Sequence, residues 1–122
     1  MNRRKKCILL FVFLIFLVIG SIGSDYSKQE KSLAVVSSIQ EEKIAFFYRD
    51  DCPDCQKVFL QVYLWDLLHQ DIQFINLNQK ENWRFVSQYN IHSVPTFIYR
   101  DHMYAGTNRQ AIGDFLEKRS DE

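Results

Sequence analysis

With 122 residues, 47% of them hydrophobic, the chain can hold one small domain around a single core. The formal charge of zero, 15 bases against 15 acids, hides a division: residues 1–24 carry four bases and no acid, leaving 11 Lys and Arg against 15 Asp and Glu. A mildly acidic remainder argues against nucleic acid or an anionic membrane surface as its main partner.

The chain begins "MNRRKK", and from Cys7 to Ile22 runs "CILLFVFLIFLVIGSI", without a charge. A basic stretch ahead of an apolar run is the pattern of a signal peptide or a signal anchor over residues 1–24. Sixteen helical residues span about 24 Å, short of the ~30 Å hydrocarbon core, so length leaves both readings open. Ser21 and Gly23 are small residues at a possible cleavage point, although the A-x-A form is absent. The four bases belong on the cytoplasmic side, which directs everything after residue 24 outward. The chain is thus expected at the cell membrane, with one span and its C-terminal domain outside, or secreted if the leader is cleaved. Cys7 heads the apolar run and reads as a passive membrane residue, because a lipoprotein cysteine would follow that run.

Residues 25–42 read as a spacer passing into a helix around Leu33, Ala34, Val35, Val36 and Ile39 that packs on a domain of residues 43–122. "KIAFFYR", residues 43–49, suits a buried strand, and Pro53 suits the first turn of a helix, where its missing N–H is no loss. That helix runs to about His69, with Val58, Val62 and Trp65 on one face. Phe59, Leu60, Leu64, Leu67 and Leu68 broaden the face, as expected of a helix buried on much of its surface. "DIQFINLN", residues 71–78, is a second strand. Residues 80–90 place Trp83, Val86 and Tyr89 at helical spacing. After Val94-Pro95 come a strand over 96–100, a turn at Asp101-His102 and a partner strand into Gly106. The chain closes on an amphipathic helix with Ala111, Ile112, Phe115 and Leu116 inward. Strand–helix alternation followed by a hairpin predicts an α/β fold with a mixed sheet of about four strands and helices on both faces.

The chemistry lies in "RDDCPDCQKV", residues 49–58. Cysteines three apart at a helix start give one sulfur that the free N–H groups and the helix dipole stabilise as a thiolate, and a second sulfur one turn on. Cys52 is the expected nucleophile and Cys55 the resolving thiol, with Pro53 fixing the first turn. Outside the cytoplasm a structural disulfide is the competing reading, but a bridge closing so short a loop constrains the unfolded chain little. Tetrahedral zinc needs four ligands, and beyond the pair only His69, His92 and His102 are available, scattered along the chain.

Residues 43–118 resemble the thioredoxin family in the strand "IAFFYR", the "CPDC" motif heading a long helix, "SVPTFIYRD" some 40 residues later and a last amphipathic helix. The resemblance implies that Pro95 is cis, that Val94 offers its backbone to a substrate, that Val94 and Pro95 pack beside Cys52, and that Val94, Pro95 and Thr96 form the substrate-binding segment. Proline is the one residue for which a cis bond is cheap. His92 would then lie near the dithiol, able to tune it or to cap a metal. There are departures from the family: Asp51 replaces the aromatic residue before the first cysteine, and Phe46 stands where a buried acid would accept the proton of Cys55. Asp50, Asp51 and Asp54 oppose the helix dipole at Cys52 and imply a less strongly oxidising pair.

The organisation is similar to that of small exported thioredoxin-like proteins of Gram-positive bacteria, including bacteriocin transport accessory proteins. It implies a monomeric extracytoplasmic thiol–disulfide oxidoreductase, of protein-disulfide reductase or isomerase type, that needs no cofactor beyond its Cys52–Cys55 disulfide. Its partners would be secreted or envelope proteins and a redox partner protein, with the membrane engaged through residues 7–23. The alternative is a non-catalytic binding module or a soft-metal carrier built on Cys52, Cys55 and His92.

Overall fold

The computed structural model describes residues 1–121; Glu122, the last residue of the expected domain, lies outside them. Helix α1 spans Arg3–Glu30, β1 Ile44–Tyr48, α2 Pro53–His69 and β2 Ile72–Asn76. A 3-10 turn, Lys80–Trp83, leads into the short helix α3, Arg84–Gln88, followed by β3, Thr96–Tyr99, β4, His102–Ala105, and α4, Arg109–Ser120.

The sheet has the order β2-β1-β3-β4. β1 and β2 run parallel, with Phe46 opposite Phe74. β1 and β3 run antiparallel, pairing Phe46 with Phe97 and Phe47 with Thr96, and β3 turns back through Arg100 and Asp101 into β4. Alternation along β1 divides its side chains between two cores. Ile44, Phe46 and Tyr48 face α2 and α4, meeting Val58, Phe59, Val62, Ile112 and Leu116. Ala45 and Phe47 face the opposite way, toward Ile75, Leu77, Phe85 and Ile91. The fold is therefore a four-stranded mixed sheet covered on both faces, with an apolar helix at its N-terminal end.

Three sequence expectations change. First, no helix forms around Leu33–Ile39. The apolar helix instead continues to Glu30, and residues 32–40 form an irregular strap. Side chains from the domain satisfy the strap's backbone, which a helix would otherwise have done. Asn76 Nδ2 donates to the Ser32 carbonyl (3.1 Å) and Gln79 Nε2 to the Leu33 carbonyl (2.8 Å), while Asn82 Oδ1 accepts from the Val36 amide (2.9 Å). Val36 and Ile39 still pack inward, against the second core.

Second, α2 is buried on one side only: Leu60, Leu64, Leu67 and Leu68 are exposed. Val58, Phe59, Val62 and Tyr63 already fill the contact with the sheet, and helical spacing turns the leucines away from it. Third, Phe85 rather than Trp83 enters the core from residues 80–90, because the 3-10 turn shifts the helical phase before α3 begins.

Helix α1 is long and apolar enough to cross a membrane. At 28 residues it measures about 42 Å, so the helix outlasts its apolar run. Its last two turns lie against the domain. The Tyr26 ring meets Phe59 and Tyr63 edge-on at 5.3 and 5.1 Å. The Tyr63 hydroxyl donates to Asp25 Oδ2 at 2.6 Å, and the Tyr48 hydroxyl donates to the Gln29 carbonyl at 2.9 Å.

Candidate active site

The antiparallel register of β1 and β3 brings the end of β1 beside the start of β3, so the loop after Tyr48 and the turn before Thr96 meet at one edge of the fold. The first carries the cysteines and the second carries proline.

Cys52 is the N-cap of α2, in extended conformation, with Pro53 as the first helical residue. Its sulfur accepts the Cys55 amide N–H at 3.4 Å, filling the place a Ser or Asp side chain takes at other helix starts. A sulfur held by a helix N-terminal amide, at the positive end of the dipole, is stabilised most when it is negative. Cys52 is part-exposed, Cys55 is buried, and both are free thiols. Burial pushes the Cys55 thiol up to about 12; the backbone contact at Arg49 opposes this, while the Cys52 sulfur and Asp54 add to it. The two sulfurs thus differ in accessibility, and the buried one holds its proton tightly.

The carboxylates around the pair all have partners. Asn78 Nδ2 donates to Asp50 and, at 3.1 Å, to Asp51, while Asn78 Oδ1 accepts from Arg49 Nε at 2.9 Å. Arg49 also approaches Asp51 at 3.4 Å, and Lys57 approaches Asp54 at 3.5 Å. These exposed ion pairs are individually weak, but together they draw part of the negative field away from Cys52. Asn78 was not legible as a member of the site; Arg49 and Lys57 stand within residues 49–58, but only Lys57, three residues after Asp54 on the same helix, signalled a pairing.

Phe46, in the position where the resemblance implies an acid, is fully buried. Its ring stacks on Phe97 at 4.8 Å and on Tyr48 at 5.1 Å. The proton of Cys55 therefore has no acceptor at residue 46.

Across the edge, the Val94–Pro95 peptide bond is cis. Pro95 and Thr96 are buried, and Val94 is half-buried against the same core as Cys52 and Cys55. The Thr96 hydroxyl donates to the Ser93 carbonyl at 2.6 Å, and the Gly106 amide donates to the Pro95 carbonyl at 3.1 Å. Gly106 has φ +148°, and a Cβ there would stand 2.8 Å from the Tyr104 hydroxyl oxygen, so glycine is required where β4 leaves Pro95.

A groove of about 290 Å³ adjoins this wall, lined by Arg49, Leu77, Trp83, Ile91, His92 and Val94 among others. His92 faces this groove. Among the described residues no three His, Cys, Asp or Glu side chains gather as metal ligands, so Cys52, Cys55 and His92 do not form a three-ligand set.

Comparison with known proteins agrees with this geometry. The family model for thioredoxin matches residues 26–118, most of the chain. Among solved structures, mitochondrial thioredoxin 3 from Saccharomyces cerevisiae is 17% identical with a TM-score of 0.51, covering 62% of this chain and 76% of that one. A mutant thioredoxin from Halobacterium salinarum is 26% identical with a TM-score of 0.51, covering 62% of this chain and 72% of that one. No curated protein sequence matches the chain. The family match over more than half the chain, on a fold the solved thioredoxins share, makes this chain a member of the thioredoxin family.

Proposed function

We propose that the chain is an extracytoplasmic thiol–disulfide oxidoreductase, tethered by α1 or released from it, that exchanges disulfides with secreted or envelope proteins. The observation that carries this reading is the Cys52 sulfur at the N-cap of α2, receiving the Cys55 amide N–H at 3.4 Å while Cys55 stays buried behind it.

In the reductive direction the Cys52 thiolate attacks one sulfur of a client disulfide. The client S–S bond breaks, a Cys52–client S–S bond forms, and the other client sulfur leaves as a thiolate. Cys55 then loses its proton and attacks the Cys52 sulfur, which releases the second client thiolate and leaves a Cys52–Cys55 disulfide. Two electrons have passed to the client, and a redox partner protein must return them. Run in reverse, the same steps oxidise a client dithiol.

Val94, Pro95 and Thr96 supply the wall against which a client's extended backbone lies, and the groove beside Trp83 and His92 takes a client side chain. Pro53 sets the first turn, and Asp51, Asp54 and their counter-ions adjust the charge that Cys52 experiences. The paired carboxylates fit a reductase or isomerase better than a strong oxidant.

The test is a trap: Cys55→Ser, expressed as the full chain, should accumulate clients on Cys52 as adducts that reductant releases, and Cys52→Ser should accumulate none. The trapped clients would show whether they are bacteriocins or other exported proteins. Equal adducts on both variants would count against the assigned roles.

A further inference from the structure

The exposed leucines of α2 form one stripe: residues 60, 64, 67 and 68 are spaced i, i+4, i+7 and i+8. Leu68 is 82% exposed and the other three are about half exposed, which is unusual for four large apolar side chains on a single face of a small domain. The contact with α1 shows where this stripe points. Near the end of the apolar run, the Ile22 carbonyl accepts from the Tyr63 hydroxyl at 3.4 Å, and Tyr26 lies between Phe59 and Tyr63. Further along α1, Gln29 meets Tyr48, beside the loop that starts α2. Thus α1 and α2 run in opposite senses through the contact, and the apolar part of α1 leaves past the C-terminal end of α2.

If α1 enters a membrane at Ile22, Tyr63 marks the level of the surface. Leu67 and Leu68 then lie about 6–8 Å to the membrane side of it, from four or five residues of helical rise. That is the depth at which an interfacial apolar face sits, among headgroups and the first acyl carbons. Tyr26, part-exposed, falls at the level where aromatic rings with one polar tip are favoured.

We propose that the C-terminal end of the leucine face of α2, Leu64, Leu67 and Leu68, rests in the lipid surface that α1 enters, so that the domain meets the membrane in one orientation. Cys52, at the other end of α2, is then held about 24 Å from Leu68 and turned toward the aqueous side. This rests on the reading of α1 as a retained anchor. The driving force is apolar burial rather than charge, so a zwitterionic surface suffices.

The full chain with Cys7→Ser, Cys52→Ser and Cys55→Ser is given one new cysteine at a time: Ile15→Cys, Leu64→Cys, Leu68→Cys or Met103→Cys. Each variant carries a fluorophore and is reconstituted into phosphatidylcholine vesicles whose acyl chains bear bromine. Met103 is an exposed apolar residue on β4 and controls for the label's own affinity for lipid. Labels at residues 15, 64 and 68 should lose emission, and the label at 103 should keep it. Labels at 64 and 68 that behave as at 103, with 15 still quenched, overturn the orientation and leave the anchor standing. Self-association that shields 64 and 68 from lipid overturns it in favour of a second copy. An unquenched label at 15 defeats the anchor reading, and the orientation with it.

Discussion

The slow step of the cycle should belong to Cys55. Its thiol is pushed from 9.0 up to about 12, chiefly by burial. At pH 7 a thiol at about 12 is ionised in roughly one molecule in 100,000, against about one in 100 at 9.0, so burial, with the Cys52 sulfur and Asp54 beside it, removes on the order of 1,000-fold of the reactive form. Part of this lifts once Cys52 carries a client, because the neighbouring sulfur no longer holds charge, but the desolvation remains. No acid at residue 46 is available to take the proton. An aromatic disulfide such as Ellman's reagent separates the steps: the first coloured thiolate is released when Cys52 attacks, and the second when Cys55 resolves the adduct. The second release should be slower and rise about tenfold per pH unit from about pH 6 to about pH 9 without levelling, since thiolate fraction sets the rate. Cys55→Ser should abolish it and leave the first release intact. A plateau of the second release near pH 7 would refute the reasoning, because Cys55 would then ionise in the ordinary range or pass its proton to an acceptor other than water.

Three further outcomes follow. Cys55, Tyr48 and Tyr63 all have protons held more tightly in the fold than in the unfolded chain, through burial first and then nearby negative groups. Above about pH 9 for the thiol and about pH 10 for the phenols the unfolded chain therefore binds fewer protons, so stability is whole below about pH 9 and falls as pH rises toward about pH 12, with Cys55 contributing at most about 1.4 kcal/mol per unit. Urea denaturation across that range measures it, and Cys55→Ala should flatten the slope. Asn78→Ala removes the donor to Asp50 and Asp51 and the acceptor of Arg49. It should cost about 1–3 kcal/mol in denaturant midpoint experiments and shift the glutathione equilibrium toward the disulfide, because the freed carboxylates disfavour a thiolate at Cys52. Trp83→Ala, at an exposed wall of the groove, should slow reduction of a protein disulfide such as that of insulin while leaving the reaction with a small aromatic disulfide unchanged.

The parts of this molecule that were legible in sequence are the local ones. Cys52, Pro53 and Cys55 are fixed relative to one another by a single helical turn, and β1, α2, β2 and the β3–β4 hairpin each announce themselves by period and breaker residues within a few positions. What escaped depends on contacts far apart in the chain. Residues 25–30 are polar and read as a spacer, yet they remain helical with Tyr26 set against Phe59 and Tyr63, more than thirty residues away. The strap at 32–40 gave up a helix for hydrogen bonds from Asn76, Gln79 and Asn82, whose side-chain amides carry no local sign of that role. The leucines of α2 raised the apparent breadth of its buried face, because an apolar residue turned outward and one turned to a core look alike in a helical pattern. The carboxylates beside Cys52 were visible, but the Asn78 that holds two of them lies on the far side of α2 and β2 in sequence.

The proposed chemistry requires Cys52 and Cys55 to form one two-electron couple with Cys52 as the outward thiol. Equilibrating the full chain against mixtures of reduced and oxidised glutathione, trapping with an alkylating agent and mapping the modified peptides tests it directly. A single two-electron transition is expected, with loss of two hydrogens per chain in a Cys52–Cys55 disulfide and alkylation of Cys52 well ahead of Cys55 in the reduced form. A pair that never joins under oxidising mixtures, or a Cys55 that alkylates first, would contradict it.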